Sequence, residues 1–257
     1  MGRSGTGASG WNGSATSSTC DHEWMADDDQ TPKAPLDMLG ALARSDAELD
    51  ETSRLIEIYT MEGLLQVWWF GLPGATDVAL MCGGAMGGVL GPGRSLYFEY
   101  GRTLAASGRA AMAVSYRRPG DLGRCLLDVC ATADLAMRNG AERFVILGHS
   151  FGGAVAIQAA CTFTKAVAGV VTFATQSGGC EDAALMESVP LLLLHGERDS
   201  ILGPENSTMV QSLVGHGEVR MFPDTDHLMI EAADELAAIT HEWTMARFAE
   251  HTNEGRT

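Results

Sequence analysis

The sequence predicts an α/β protein built on a mostly parallel central sheet of about eight strands, with helices on both faces. Three observations predict it. From about residue 53 onward, strand-like and helix-like segments alternate. The strands are apolar runs, as in VALMCGG (78–84) and PLLLLHGERD (190–199), which suits strands covered on both sides. A chain of 257 residues, 46% of them hydrophobic, suits one compact domain with a tail.

The elements follow in chain order. Residues 1–35 combine Gly, Ser and Thr with the acidic patch Asp27, Asp28 and Asp29, and end in Pro32 and Pro35. They read as a disordered tail, part of it an appended tag. Over 36–52, Leu36, Leu39, Leu42 and Leu49 are spaced as on a short amphipathic helix, so a helical arm is expected. The main domain is expected over 53–257. SRLIEIYT and LLQVWWF predict an antiparallel hairpin around Gly63. A buried strand follows at 78–84, then a helix over 94–107 closed by Gly108. AAMAVSY is a strand over 110–116, broken by Pro119 and Gly120. Asp121 caps a helix over 122–139 that ends at Gly140. RFVILGHS (143–150) is a strand running into a turn, and 151–164 is a helix. A strand over 167–175, a short helix near 181–187 and the strand 190–199 come next. GEVRMFP (217–223) is the last strand and 231–249 the last helix.

Charge and cysteine usage narrow the function classes. A formal net charge of -16 argues against nucleic acid and against anionic membrane surfaces as partners. No run of 18 apolar residues occurs, and the first residues lack an apolar signal core, so a cytoplasmic protein is expected. The six cysteines, Cys20, Cys82, Cys125, Cys130, Cys161 and Cys180, form no CxxC pair and no zinc-like cluster with histidine. They read as reduced, packed side chains, and no metal or other cofactor is expected.

The strongest chemical signal is Gly148-His149-Ser150-Phe151-Gly152-Gly153. It fits G-x-S-x-G and lies between an apolar strand and an Ala-rich helix, the context that pattern needs. There a serine occupies a strained turn and projects its hydroxyl, and flanking glycines remove colliding side chains. A serine is a poor nucleophile without a base. Of seven histidines, His227 directly follows the last strand, in FPDTDHLM, where a loop returns to the carboxyl end of the sheet. His195 ends a strand and is expected to support the loop beyond it. The orienting carboxylate is expected at another strand end, and Asp199, in LLLLHGERDS, fits; Glu197 is its neighbour and competitor. The order Ser, Asp, His is one that such a triad takes on α/β sheets.

GHSFGG, HGERD and DTDHL, in this order, resemble the α/β-hydrolase superfamily, and more narrowly its small lidless esterases and dienelactone-hydrolase-like members. The resemblance covers about residues 53–249. It implies an α/β-hydrolase fold, a Ser150–His227–Asp199 triad, two-step acyl transfer and no cofactor. Two departures matter. Many members carry His-Gly after the third strand, where this chain has Cys82-Gly83-Gly84-Ala85-Met86-Gly87-Gly88. Dienelactone hydrolases use a cysteine nucleophile, whereas position 150 is serine, so specificity does not carry over. Serine there also excludes the aspartate-dependent dehalogenases and epoxide hydrolases.

An oxyanion hole needs two backbone N–H groups aimed at one point. Phe151 supplies one, as the residue after the nucleophile. Aligned on His-Gly, Gly84 supplies the other, with Ala85 close behind. The same glycine-rich loop lacks the lysine of a P-loop and does not fit G-x-G-x-x-G, which disfavours phosphate binding. His149 precedes the nucleophile, so its side chain is expected to point away from the serine. With Ala85, Met86 and Met229 it is nonetheless a candidate substrate-binding residue, and Met186 is a further candidate for an apolar pocket. The segment from Ser150 to Asp199 has no room for a large cap domain. The expected activity is therefore carboxylic ester hydrolysis on small to medium acyl groups, the partner being a small-molecule ester. Thioesterase, lactonase and amidase or peptidase chemistry on the same triad remain alternatives, as does a non-catalytic binding homologue.

Overall fold

The computed structural model describes residues 32–186 and 188–254. Its strands are β1 (Ala43–Glu48), β2 (Ser53–Thr60), β3 (Gly63–Phe70), β4 (Asp77–Cys82), β5 (Ala110–Ser115), β6 (Arg143–His149), β7 (Val167–Phe173), β8 (Leu191–Gly196) and β9 (Glu218–Phe222). They form one sheet in the order β1-β2-β3-β5-β4-β6-β7-β8-β9. The first four in that order pair antiparallel; every later pairing, from β5–β4 to β8–β9, is parallel.

Each strand reads as its sequence dictates. β4 to β8 are continuous apolar runs, and they are buried on both faces apart from single residues at the ends of β5 and β6. Successive residues serve opposite cores. Leu80, Cys82 and Ile146 enter the core under helices α3 (Leu122–Met137), α4 (Phe151–Thr162) and α5 (Glu205–Val214). Ala79, Met81, Val145 and Leu147 enter the other, under α2 (Leu96–Ala106) and α6 (Ala233–Glu254). Truncating one of the buried leucines, isoleucines or methionines to alanine costs about 2–5 kcal/mol, so the packing holds the strand ends in place. The Asp121 side chain accepts from the Arg124 amide and caps α3, as its position predicts.

Two sequence expectations change, and a third is not reached. The arm over 36–52 is not helical beyond one short turn, α1 (Pro35–Met38). Gly40 at φ +60 ends it, and β1 then pairs with β2 from Ala43 opposite Tyr59 to Glu48 opposite Arg54. The ninth strand arises here. All six β1 side chains are exposed, so no apolar pattern announces the strand; it forms because the backbone edge of β2 needs partners. The leucine spacing has another use: Leu39 is buried in the core, and Arg138, just past the end of α3, pairs with Asp37. Second, α5 occupies a stretch, ENSTMVQSLV, where no helix is expected. Third, the tail expected over 1–35 lies, apart from residues 32–35, outside the described residues. No helix among the described residues is long and apolar enough to cross a membrane. Cys82, Cys125, Cys130, Cys161 and Cys180 are free thiols; Cys20 lies outside the described residues.

The chain steps from β4 to β5 on one side, then to β6 on the other. The crevice at the carboxyl ends of β4 and β6 is therefore the switch point where open α/β sheets bind ligands. Among the described residues between Ser150 and Asp199 the chain holds only α4, a 3-10 turn at Thr164–Ala166, β7, a second at Ala183–Met186 and β8, so no large cap is inserted there.

Candidate active site

Four strand ends feed one site. β4 leads into the glycine loop after Cys82, β6 into Ser150, β8 into Asp199 and β9 into the loop that carries His227.

Ser150 has φ 58 and ψ -122, a strained geometry for a residue with a Cβ. The strain is held from both sides: the Ser150 amide donates to the Phe173 carbonyl at 2.9 Å, and the Ser150 carbonyl accepts from Gly153 at 2.9 Å. Two glycines make the turn possible. A Cβ on Gly148 would strike the backbone of Gly152, and one on Gly152 would strike the carbonyls of Cys82 and Gly83. The helix that starts at Phe151 can therefore pack directly on the end of β4. Its first amides have no partner within the helix and lie beside the serine. Gly84 is close too; a Cβ built on it would stand 3.9 Å from that of Ser150.

Asp199 is buried, and both its oxygens are occupied. Oδ1 accepts from the amides of Ile201 and Leu202, each at 2.9 Å. Oδ2 accepts from Nδ1 of His227 at 2.7 Å. Burial works to raise the carboxyl pKa, but the Leu202 amide, the His227 ring and the Ile201 amide outweigh it and hold the group below its usual range. A charged Asp199 fixes the proton of His227 on Nδ1 and leaves Nε2 free to act as a base. Among the described residues no hydrogen bond joins the Ser150 hydroxyl to His227; both line the same cavity, and such contacts commonly tighten only with substrate bound.

His149 departs from the expectation that its ring points away. The ring turns back against His227, with centroids 5.0 Å apart, and Nε2 donates to the His227 carbonyl at 2.9 Å. Burial pushes its pKa down to about 4, against an ordinary 6.5. His195 meets its expected role and goes further. It braces the loop through the Leu202 carbonyl at 2.9 Å, and the same Nε2 reaches Asp199 Oδ2 at 3.1 Å.

The cavity measures about 460 Å³. Ser150, His149 and His227 line it, together with Gly84, Ala85 and Met86 from the glycine loop. Met229 does not: it is fully buried in the core under α2 and α6, its backbone turned inward at φ 56. Met186 is likewise fully buried, in the opposite core. Leu90, Ile201 and Leu228 line the cavity and were not singled out from the sequence. Ile201 sits two residues after Asp199 and Leu228 directly after His227, which is the signal that points to them. Cys82, the cysteine at the base of the glycine loop, is fully buried, and burial pushes its thiol up to about 12, so it is no rival nucleophile. No group of three or more metal-ligating side chains occurs among the described residues.

This arrangement can carry out acyl transfer: a strained serine, an imidazole oriented by a charged carboxylate, and backbone amides beside the serine. Comparison with known proteins agrees in fold and family. The model of the dienelactone hydrolase family matches residues 99–249. Among solved structures, Est1E from Butyrivibrio proteoclasticus is 14% identical, with a TM-score of 0.65 over 76% of this chain and 99% of its own. A dienelactone hydrolase from Anabaena variabilis is 18% identical, with a TM-score of 0.64 over 79% of this chain and 98% of its own. An alpha-beta serine hydrolase homologue from Coxiella burnetii is 16% identical, with a TM-score of 0.61 over 75% and 97%. No curated protein matches the chain.

Proposed function

The chain belongs to the dienelactone hydrolase family, and on that premise we propose that it is a serine esterase cleaving carboxylic esters of small to medium acyl groups through an acyl-enzyme. The observation that carries this reading is the 2.7 Å pairing of His227 with a buried Asp199, on the same cavity as a Ser150 strained at φ 58.

His227 Nε2 takes the hydroxyl proton as Ser150 Oγ attacks the ester carbonyl carbon. The carbonyl π bond breaks and its electron pair moves onto oxygen. The amides of Phe151 and Gly84 hold that oxyanion; losing one such donor commonly costs about 10²–10³ in rate. Asp199 stabilises the imidazolium. The tetrahedral species collapses, the C–O bond to the alcohol breaks, and the proton on His227 goes to the leaving oxygen. Water then repeats the sequence, with His227 as base, and releases the acid and free Ser150. The steps call for no cofactor.

The test is hydrolysis of p-nitrophenyl acetate, butyrate and octanoate beside Ser150→Ala. Turnover that disappears in the variant supports the serine chemistry. Turnover that persists in Ser150→Ala, or folded protein that turns over none of the three, overturns it.

A further inference from the structure

Four large apolar side chains stand open around the mouth of the cavity. Met86 is 96% exposed, Ile201 69%, Leu90 53% and Leu228 49%. All four line the cavity with Ser150 and His227. They come from three separate segments: the glycine loop, the loop after Asp199 and the loop after His227. Single exposed apolar residues are ordinary on a protein surface. Four gathered from three loops around one concave site make an apolar surface that a ligand would cover.

Among the described residues the same wall carries no lysine or arginine. Its other members are glycines, Ala85, His149, Ser150 and His227. The arginines on neighbouring segments are not among the lining residues and face carboxylates or a carbonyl of their own. Arg198 pairs with Asp224, Arg94 with Asp234, and Arg118 donates to the Glu62 carbonyl. The chain as a whole carries -16. A carboxylate or phosphate entering the cavity would lose water, find no counter-charge and meet a repulsive field.

We infer that the substrate is a neutral ester carrying an apolar chain of several carbons, which lies across Met86, Leu90, Ile201 and Leu228, and that esters with an anionic group on that chain are refused. This rests on the esterase reading of Ser150 and names the substrate class of that site. Each methylene fully removed from water strengthens binding roughly fourfold. A partly open rim captures a share of that for every carbon beyond the carbonyl.

The experiment compares three methyl esters: the butyrate, the octanoate and the hydrogen suberate, which matches the octanoate in length but ends in a carboxylate. The expected kcat/KM for octanoate exceeds that for butyrate by at least about tenfold, and that for hydrogen suberate by about 50-fold or more. In Ile201→Ser/Leu228→Ser, two exposed positions, the octanoate-to-butyrate ratio should fall below about threefold. Equal turnover of octanoate and hydrogen suberate overturns the inference and leaves the esterase reading standing. If none of the three turns over, calorimetric binding to Ser150→Ala decides. Tighter binding of methyl octanoate than of the suberate upholds the apolar site while the esterase reading falls; equal or undetectable binding sinks both.

Discussion

His195 donates from Nε2 to Oδ2 of Asp199 at 3.1 Å, the same oxygen that accepts from Nδ1 of His227 at 2.7 Å. The Asp199 carboxylate is thus held by two imidazoles and two amides. His195 is itself fixed from behind, since Ser207 of α5 meets its Nδ1 at 2.7 Å and both residues are fully buried. A hydrogen bond to a charged group is worth about 1.5–3 kcal/mol. Removing it should loosen the aim of Asp199 on His227 without touching substrate. His195→Leu should lower kcat by about 10–100-fold and leave KM within about twofold. His195→Gln, which keeps a donor near the same place, should recover most of that loss. A change in KM alone, or no rescue by glutamine, would assign His195 to packing only.

His149 makes stability sensitive to mild acid. Burial holds its pKa down to about 4, although the bond to the His227 carbonyl works the other way. In the unfolded chain a histidine takes up a proton near 6.5. Between these values the unfolded state binds more protons than the folded state, so stability rises with pH. The contribution is complete above about 6.5 and is lost as pH falls towards 4. By pH 5 the loss amounts to about 2 kcal/mol. Urea unfolding at pH 7.5, 6 and 5 should show this extra decline in the wild type and not in His149→Gln. Parallel declines in the two proteins would remove His149 as its cause.

Arg117 and Asp128 form an ion pair at 2.6 Å, with side chains 1% and 0% exposed, and Asp128 also accepts from the Arg117 amide at 2.8 Å. Asp128→Ala leaves the buried guanidinium with only its 3.4 Å contact to the half-exposed Glu62. It should cost about 3–5 kcal/mol, read from the urea midpoint. Arg117→Met/Asp128→Leu removes both charges and should recover at least half of that. A double variant no more stable than the single one would mean that the pair holds the β5–α3 corner by its geometry rather than by balancing buried charge.

The parallel half of the sheet was legible from the residues. β4 to β8 bury both faces, so each is an unbroken apolar run, and helices with recognisable ends lie between most of them. The placement of Ser150, Asp199 and His227 at strand ends was legible as well. The strained serine demands glycines at fixed neighbouring positions, Asp199 lies just past the apolar strand β8, and His227 lies in the loop after β9. β1 left no such trace, because an exposed edge strand is recruited by unpaired backbone groups and asks nothing of its side chains. α5 was hidden for a related reason: only a few of its positions, Val210 and Val214 among them, face the core.

Around the triad, local order in the chain was a poor guide to position in space. His149 reads as facing away from Ser150, and its ring packs at a tilt against His227, 78 residues later. Met229, two residues from His227, drops into the core, while Leu228 next to it opens onto the cavity. The backbone turn at Met229, φ 56, makes that reversal. Residue type and spacing state which chemistry a chain can hold, because strain, burial and capping act over a few neighbours. Which side chains line a cavity depends on how loops from distant strands converge, and that is settled only when the sheet brings the ends of β4, β6, β8 and β9 together.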